Sequence, residues 1–110
     1  ICKLNNLEVL SIGRNELKAL PECIGNLKNL KSLNLRKSDI TVLPDSFGNL
    51  SSLQKLSLAE NNNLKKINDC LFKLFELESL DLSNMQLDIC PEQIGNLRKL
   101  SILKLNKNNK

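Results

Sequence analysis

Residues 25–30 read GNLKNL, and close copies return as GNLSSL at 48–53 and GNLRKL at 95–100. The first two copies start 23 residues apart and the last two 47 apart, so a period of 23 or 24 residues puts a fourth copy near residue 72. There the chain reads FKLFEL, in which the leucines keep their places and the Gly-Asn pair is gone. A period of this length marks a chain of stacked units, each of which buries its apolar face against its neighbours.

Counted from their first leucine, the units begin at Leu7, Leu30, Leu53, Leu77 and Leu100, after a partial unit at 1–6. They open as LEVLSI, LKSLNL, LQKLSL, LESLDL and LSILKL, and the alternation of apolar residues predicts a short strand with one buried face. A corner follows. Asn15, Asn61 and Asn108 occupy it, where an inward amide satisfies backbone groups left unpaired by the turn. Ser38 can do part of that work; Met85 cannot, which predicts a local defect or a bound water there.

Beyond the corner, two spaced apolar residues lead to a proline: Leu17, Leu20 and Pro21, then Ile40, Leu43 and Pro44, and later Leu87, Cys90 and Pro91. The third unit has Leu64, Ile67 and Asn68 instead. Proline fixes its own backbone and tolerates a helix start, so each unit is expected to return through a short helical or 3₁₀ segment. Asn68 and Asp69 supply N-cap chemistry where proline is missing. The acids that come next, Glu22, Asp45, Asp69 and Glu92, are read as charges at the positive end of a helical turn, not as a metal-binding row. Ile24, Phe47, Leu71 and Ile94, with Leu27, Leu50, Leu74 and Leu97, are expected to pack that side of the core.

A chain of 110 residues fits one domain, here 1–110. It holds 25 leucines and 16 asparagines against three aromatic residues, a skew that periodic leucine packing explains. No apolar run is long enough to span a bilayer, and no basic-then-apolar leader precedes the repeats. The net charge of +4 is spread evenly, without blocks of like charge or aromatics among the basic residues, which argues against nucleic-acid binding. With no His, no Tyr, no phosphate-cradling loop and no Cys-x-x-Cys spacing, the sequence offers no catalytic residue, cofactor site or metal site. Of Cys2, Cys23, Cys70 and Cys90, the middle two lie at the same point of units two repeats apart. At about 4.8 Å per repeat they are separated by about 10 Å, beyond the ~7 Å reach of a disulfide. Reduced thiols in a cytoplasmic protein are therefore expected.

The pattern L-x-x-L-x-L-x-x-N-x-L-x-x-L-P-x-x-I-G-N-L-x-x resembles the 23-residue leucine-rich repeat of the Ras-suppressor and plant intracellular type, also found in bacterial proteins. The resemblance covers essentially the whole chain. It implies an α/β class fold, a right-handed leucine-rich repeat solenoid with a parallel β-sheet on the concave face and short helical or 3₁₀ segments on the convex face. It also implies protein binding as the usual activity. Ser38, Met85, the extra residue within Asn61-Asn62-Asn63 and Phe72 depart from the pattern, and predict an irregular curve near the third unit.

On such a fold the strand residues between the leucines face the concave surface. The candidate partner-binding set is Arg14, Asn34, Arg36, Lys37, Lys55, Ser57, Glu60, Asp81 and Lys104. Basic groups gather in the first three units, which suits a protein or peptide partner with an acidic segment that arginine can grip bidentately. The competing reading treats these charges as solubilising and the chain as an architectural spacer of a larger receptor or effector. A convex alternative is Phe72 with Phe75, which form a docking knob if exposed together and otherwise fill the gap left by the irregularity. Neither end carries an evident cap, so Leu4, Leu7, Leu10 and Ile12, and Leu100, Leu103 and Leu105, are expected to be partly exposed. That predicts a fragment of a longer array or end-to-end self-association.

Overall fold

A computed structural model describes residues 5–14, 16–17, 19–64, 69–85 and 92–105. Five three-residue strands alternate with four five-residue 3₁₀ segments. The strands are β1 (Val9–Ser11), β2 (Ser32–Asn34), β3 (Lys55–Ser57), β4 (Ser79–Asp81) and β5 (Ile102–Lys104). The 3₁₀ segments are η1 (Glu22–Asn26), η2 (Asp45–Asn49), η3 (Asp69–Lys73) and η4 (Glu92–Asn96). The strands form one parallel sheet in chain order, so the chain is an α/β solenoid in which every unit adds one strand beside the last.

Strand register follows the repeat. Leu10, Leu33, Leu56, Leu80 and Leu103 align in one row, flanked by the row Val9, Ser32, Lys55, Ser79, Ile102 and the row Ser11, Asn34, Ser57, Asp81, Lys104. The leucine row points inward, and both flanking rows point away from the core. Across the core, Ile24, Phe47 and Leu71 are fully buried beneath η1 to η3. Each 3₁₀ segment ends the same way: Leu27, Leu50, Leu74 and Leu97 donate their N–H to the carbonyl three residues back, and the leucine three further on donates to each of them in turn. Pro21 and Pro44, extended at ψ 152°, stand immediately before η1 and η2, and Glu22, Asp45 and Asp69 open the first turn.

The corner is solved three ways. In the second unit the Asn61 amide reaches in from the next repeat: its Oδ1 accepts from the N–H groups of Ser38 and Ile40 at 3.0 and 3.1 Å, and its Nδ2 donates to the carbonyls of Leu35 and Leu58 at 2.9 and 2.8 Å. In the first unit Ser38 is too short for this. Its hydroxyl donates to Leu35 and Ile12, and the Leu17 N–H turns instead to the Ser38 backbone carbonyl at 3.1 Å. In the third unit the extra residue lets the turn close on itself, with the Leu64 N–H donating to the Asn61 carbonyl at 3.0 Å. The insertion is thus absorbed in the loop, and Leu56 still pairs with Leu80. Met85 is fully buried. Residues 86–91, together with Asn15, Asn68 and Asn108, lie outside the described residues.

Arg14, Lys37, Glu60 and Asn84 hold the same place in four successive units, and all four have positive φ, between 55° and 62°. L-residues with a Cβ pay to enter this left-handed region, yet the chain must turn there to leave the strand. Gly13 meets a different constraint, since a Cβ on it would lie 2.6 Å from the Arg36 carbonyl oxygen.

One open alternative is decided and one expectation is corrected. Phe72 and Phe75 are not exposed together: Phe72 is 5% exposed within the core, while Phe75 is 60% exposed. Phe72 stands where the equivalent units have Gly25 and Gly48, whose absent side chains let the next segment approach, so it fills space at the irregular junction. The thiols are not all reduced either. Cys70 is free and buried, but Cys23 is disulfide-bonded. Burial pushes the Cys70 thiol above its ordinary pKa, with Asp45 adding to the shift. At the two ends, Leu7, Leu10, Ile12, Leu100, Leu103 and Leu105 are only partly buried, as expected; Leu4 lies outside the described residues.

Candidate functional site

Parallel pairing of short, right-twisted strands lays ten outward side chains in two rows on one surface, with the residues of the αL turn beside them. All nine predicted binding residues fall on this surface or its rim. Arg14, Asn34, Arg36, Lys37, Lys55 and Lys104 are exposed, and Ser57, Glu60 and Asp81 are half-buried.

Their side chains are not equally available. Asn34 Oδ1 accepts from the Arg36 N–H and Asp81 Oδ1 from the Ser83 N–H, each at 3.0 Å, and Ser57 Oγ accepts from the Ala59 N–H at 3.4 Å. Each polar side chain thereby folds over its own strand end and supports the turn that follows. Arg36 and Glu60 form an ion pair across adjacent units, which satisfies the guanidinium from one side and cancels two charges locally. Arg14 and Lys37 line a shallow cleft of about 240 Å³ with Glu16 and Asp39, so the basic pair at this rim already faces two carboxylates. Among the described residues Lys55 and Lys104 have no ion-pair partner and present their ammonium groups to solvent. The surface is therefore weakly basic, with most of its polar groups positioned in advance.

Two features extend beyond the nine predicted sheet residues. Val9 and Ile102, 65% and 50% exposed, bracket the first row at opposite ends of the sheet and give it apolar edges. The signal was their apolar identity at positions where the other units have Ser or Lys. The second feature lies off the sheet, where Phe75, Glu76, Asn96, Arg98 and Lys99 line a groove of about 580 Å³. No group of His, Cys, Asp or Glu suited to a metal ion occurs among the described residues. No helix there is long and apolar enough to cross a membrane.

Comparison with known proteins agrees with this geometry. A family model described as a leucine-rich repeat region matches residues 1–67, and a single leucine-rich repeat model matches 76–97. No curated protein matches significantly. Among solved structures, a leucine-rich repeat protein of Leptospira interrogans is 35% identical with a TM-score of 0.85, covering 96% of this chain and 26% of its own. The plant peptide hormone receptor RGFR1, solved in complex with RGF2, is 32% identical with a TM-score of 0.70, covering 96% of this chain and 18% of its own. The ectodomain of the receptor kinase GASSHO1/SCHENGEN3 from Arabidopsis thaliana, solved with CASPARIAN STRIP INTEGRITY FACTOR 2, is 31% identical with a TM-score of 0.61, covering 96% of this chain and 16% of its own. The chain spans about a quarter or less of the length of these relatives.

Proposed function

This chain belongs to the leucine-rich repeat family, and from that premise we propose that it is a non-catalytic protein-interaction module which holds a protein or peptide partner against the outer face of its five-stranded sheet. The observation that carries the reading is the sheet itself: two aligned rows of exposed and half-exposed side chains on a rigid surface, with Lys55 and Lys104 uncommitted to any partner within the described chain. Supporting it, two of the similar structures are receptors solved in complex, the peptide hormone receptor RGFR1 with RGF2 and GASSHO1/SCHENGEN3 with CASPARIAN STRIP INTEGRITY FACTOR 2. The uncommitted lysines favour a partner with an acidic segment, which they would steer by charge complementarity. Anchoring falls to Val9 and Ile102, because the face has no aromatic side chain among its rows.

Arg36 contributes less than its charge suggests, since Glu60 already occupies it. The test is capture of a partner from lysate by the wild-type chain, by a Lys55→Glu, Lys104→Glu variant and by a Val9→Ser, Ile102→Ser variant, each checked for folding by circular dichroism. Loss of the same partner in both variants supports the reading. Equal capture by all three folded proteins contradicts it and favours the architectural role. A cytoplasmic setting belongs here as a further proposal, and the Cys23 disulfide weighs against it, because such bonds persist in oxidising compartments. Quantifying free thiols in protein isolated under acid trapping separates the two.

A further inference from the structure

The groove at Phe75 is built from two successive loops that lead out of 3₁₀ segments into strands. Phe75 and Glu76 follow η3, and Arg98 and Lys99 hold the same two places after η4. The corresponding residues of earlier units are Lys28 and Asn29, then Ser51 and Ser52. Phe75 is thus the one aromatic residue in a position that is polar in the other three units. Packing does not explain it. Phe72, three residues earlier, already fills the gap at the irregular junction, and Phe75 remains 60% exposed.

An exposed ring costs solubility and stabilises nothing internally, whereas the same ring beside paired donors makes a recognition site. The opposite wall supplies those donors. Lys99 Nζ donates to Glu76 Oε1 at 2.8 Å, an ion pair that links the two loops across the groove. That contact raises the Lys99 pKa, chiefly through the hydrogen bond itself. Arg98 has no ion-pair or hydrogen-bond partner among the described residues, and the Asn96 amide lines the groove beside it. Among the lining residues Lys99 pairs with Glu76, with the Glu78 carboxylate also in electrostatic reach of Lys99, which leaves the Arg98 guanidinium as the unpaired donor next to one exposed aromatic ring. A volume of about 580 Å³ suits a few side chains of a peptide, within the roughly 300–1,000 Å³ span of small-ligand sites.

We propose that the groove between Phe75 and Arg98 is a second docking site, separate from the sheet face, which takes a peptide segment of a partner protein carrying an apolar side chain next to a carboxylate. The apolar side chain packs on the Phe75 ring while the carboxylate meets the Arg98 guanidinium, whose fork donates to it bidentately. An anionic lipid surface fits less well, because Glu76 faces the same groove and a single ring offers little insertion. The site does not depend on the reading of the sheet face.

The test selects a displayed library of random 12-residue peptides on the wild-type chain, then measures the synthetic winners by fluorescence anisotropy. The expected winners join Asp or Glu to Leu, Met or Phe. They bind at least tenfold more weakly to Phe75→Ser and to Arg98→Glu, and unchanged to Lys55→Glu. With the acidic residues of the peptide replaced by lysine, Arg98→Glu regains binding that the wild type lacks. Both substituted side chains are solvent-facing, so the folds are expected to survive, and urea denaturation verifies this. Winners insensitive to Phe75 and Arg98 overturn the proposal. So does a library that yields no winner, Phe75-dependent binding only to phosphatidylcholine–phosphatidylserine vesicles, or self-association that Phe75→Ser abolishes.

Discussion

Asn61 uses both ends of its amide inside the core, accepting two backbone N–H groups and donating to the Leu35 and Leu58 carbonyls. Removing it leaves several buried groups unpaired at once, each worth about 1–3 kcal/mol. Asn61→Ala should therefore cost about 3 kcal/mol or more in urea denaturation, while Asn62→Ala, one residue on and exposed, should change stability by less than about 0.5 kcal/mol. Lys37 offers a backbone test. At φ 55° a β-branched side chain is strained, so Lys37→Val should cost about 1–2 kcal/mol, and Lys37→Gly should be neutral or stabilising. Charge alone predicts the same effect for both substitutions, so the difference reads the backbone directly.

The spacing of the strands and of the 3₁₀ segments is set by what the glycines allow. A Cβ on Gly25 would lie 2.5 Å from the Ser46 carbonyl oxygen, because η2 packs directly against η1. The same atom on Gly95 meets nothing within 4 Å. Gly25→Ala should destabilise by about 1–3 kcal/mol through overpacking, and Gly95→Ala should be neutral or stabilise by about 0.4–1 kcal/mol by restricting the unfolded chain. Thermal melts of the two variants check this, and equal effects would contradict the close approach. Strand identity, register and the 3₁₀ returns were legible from the leucine period because burial repeats with it. The availability of individual side chains was not. Asn34, Ser57 and Asp81 look like free binding groups in the sequence, yet each spends an oxygen on its own turn, and the left-handed places are held by Arg, Lys, Glu and Asn with no glycine to announce them. The insertion at Asn61-Asn62-Asn63 was visible as an extra letter, but only the geometry shows the loop absorbing it without moving β4.

Stability in the whole solenoid comes from a continuous ladder of buried leucines, so a cavity in the middle should weaken every layer it touches. Leu56 is 3% exposed at the centre of the sheet, and Leu56→Ala should cost about 2–5 kcal/mol by chemical denaturation. The same ladder holds the outward rows of the sheet face in register. Function then rests on what those rows hold. The decisive measurement is a backbone NMR titration of the isotope-labelled chain with the partner captured by the lysate experiment. Shifts concentrated along Val9, Ser32, Lys55, Ser79, Ile102 and Lys104, with Ile24, Phe47 and Leu71 beneath the opposite side unmoved, are the expected result. Shifts confined to η1–η4, or absent from the sheet at saturation, would contradict a binding role for that face.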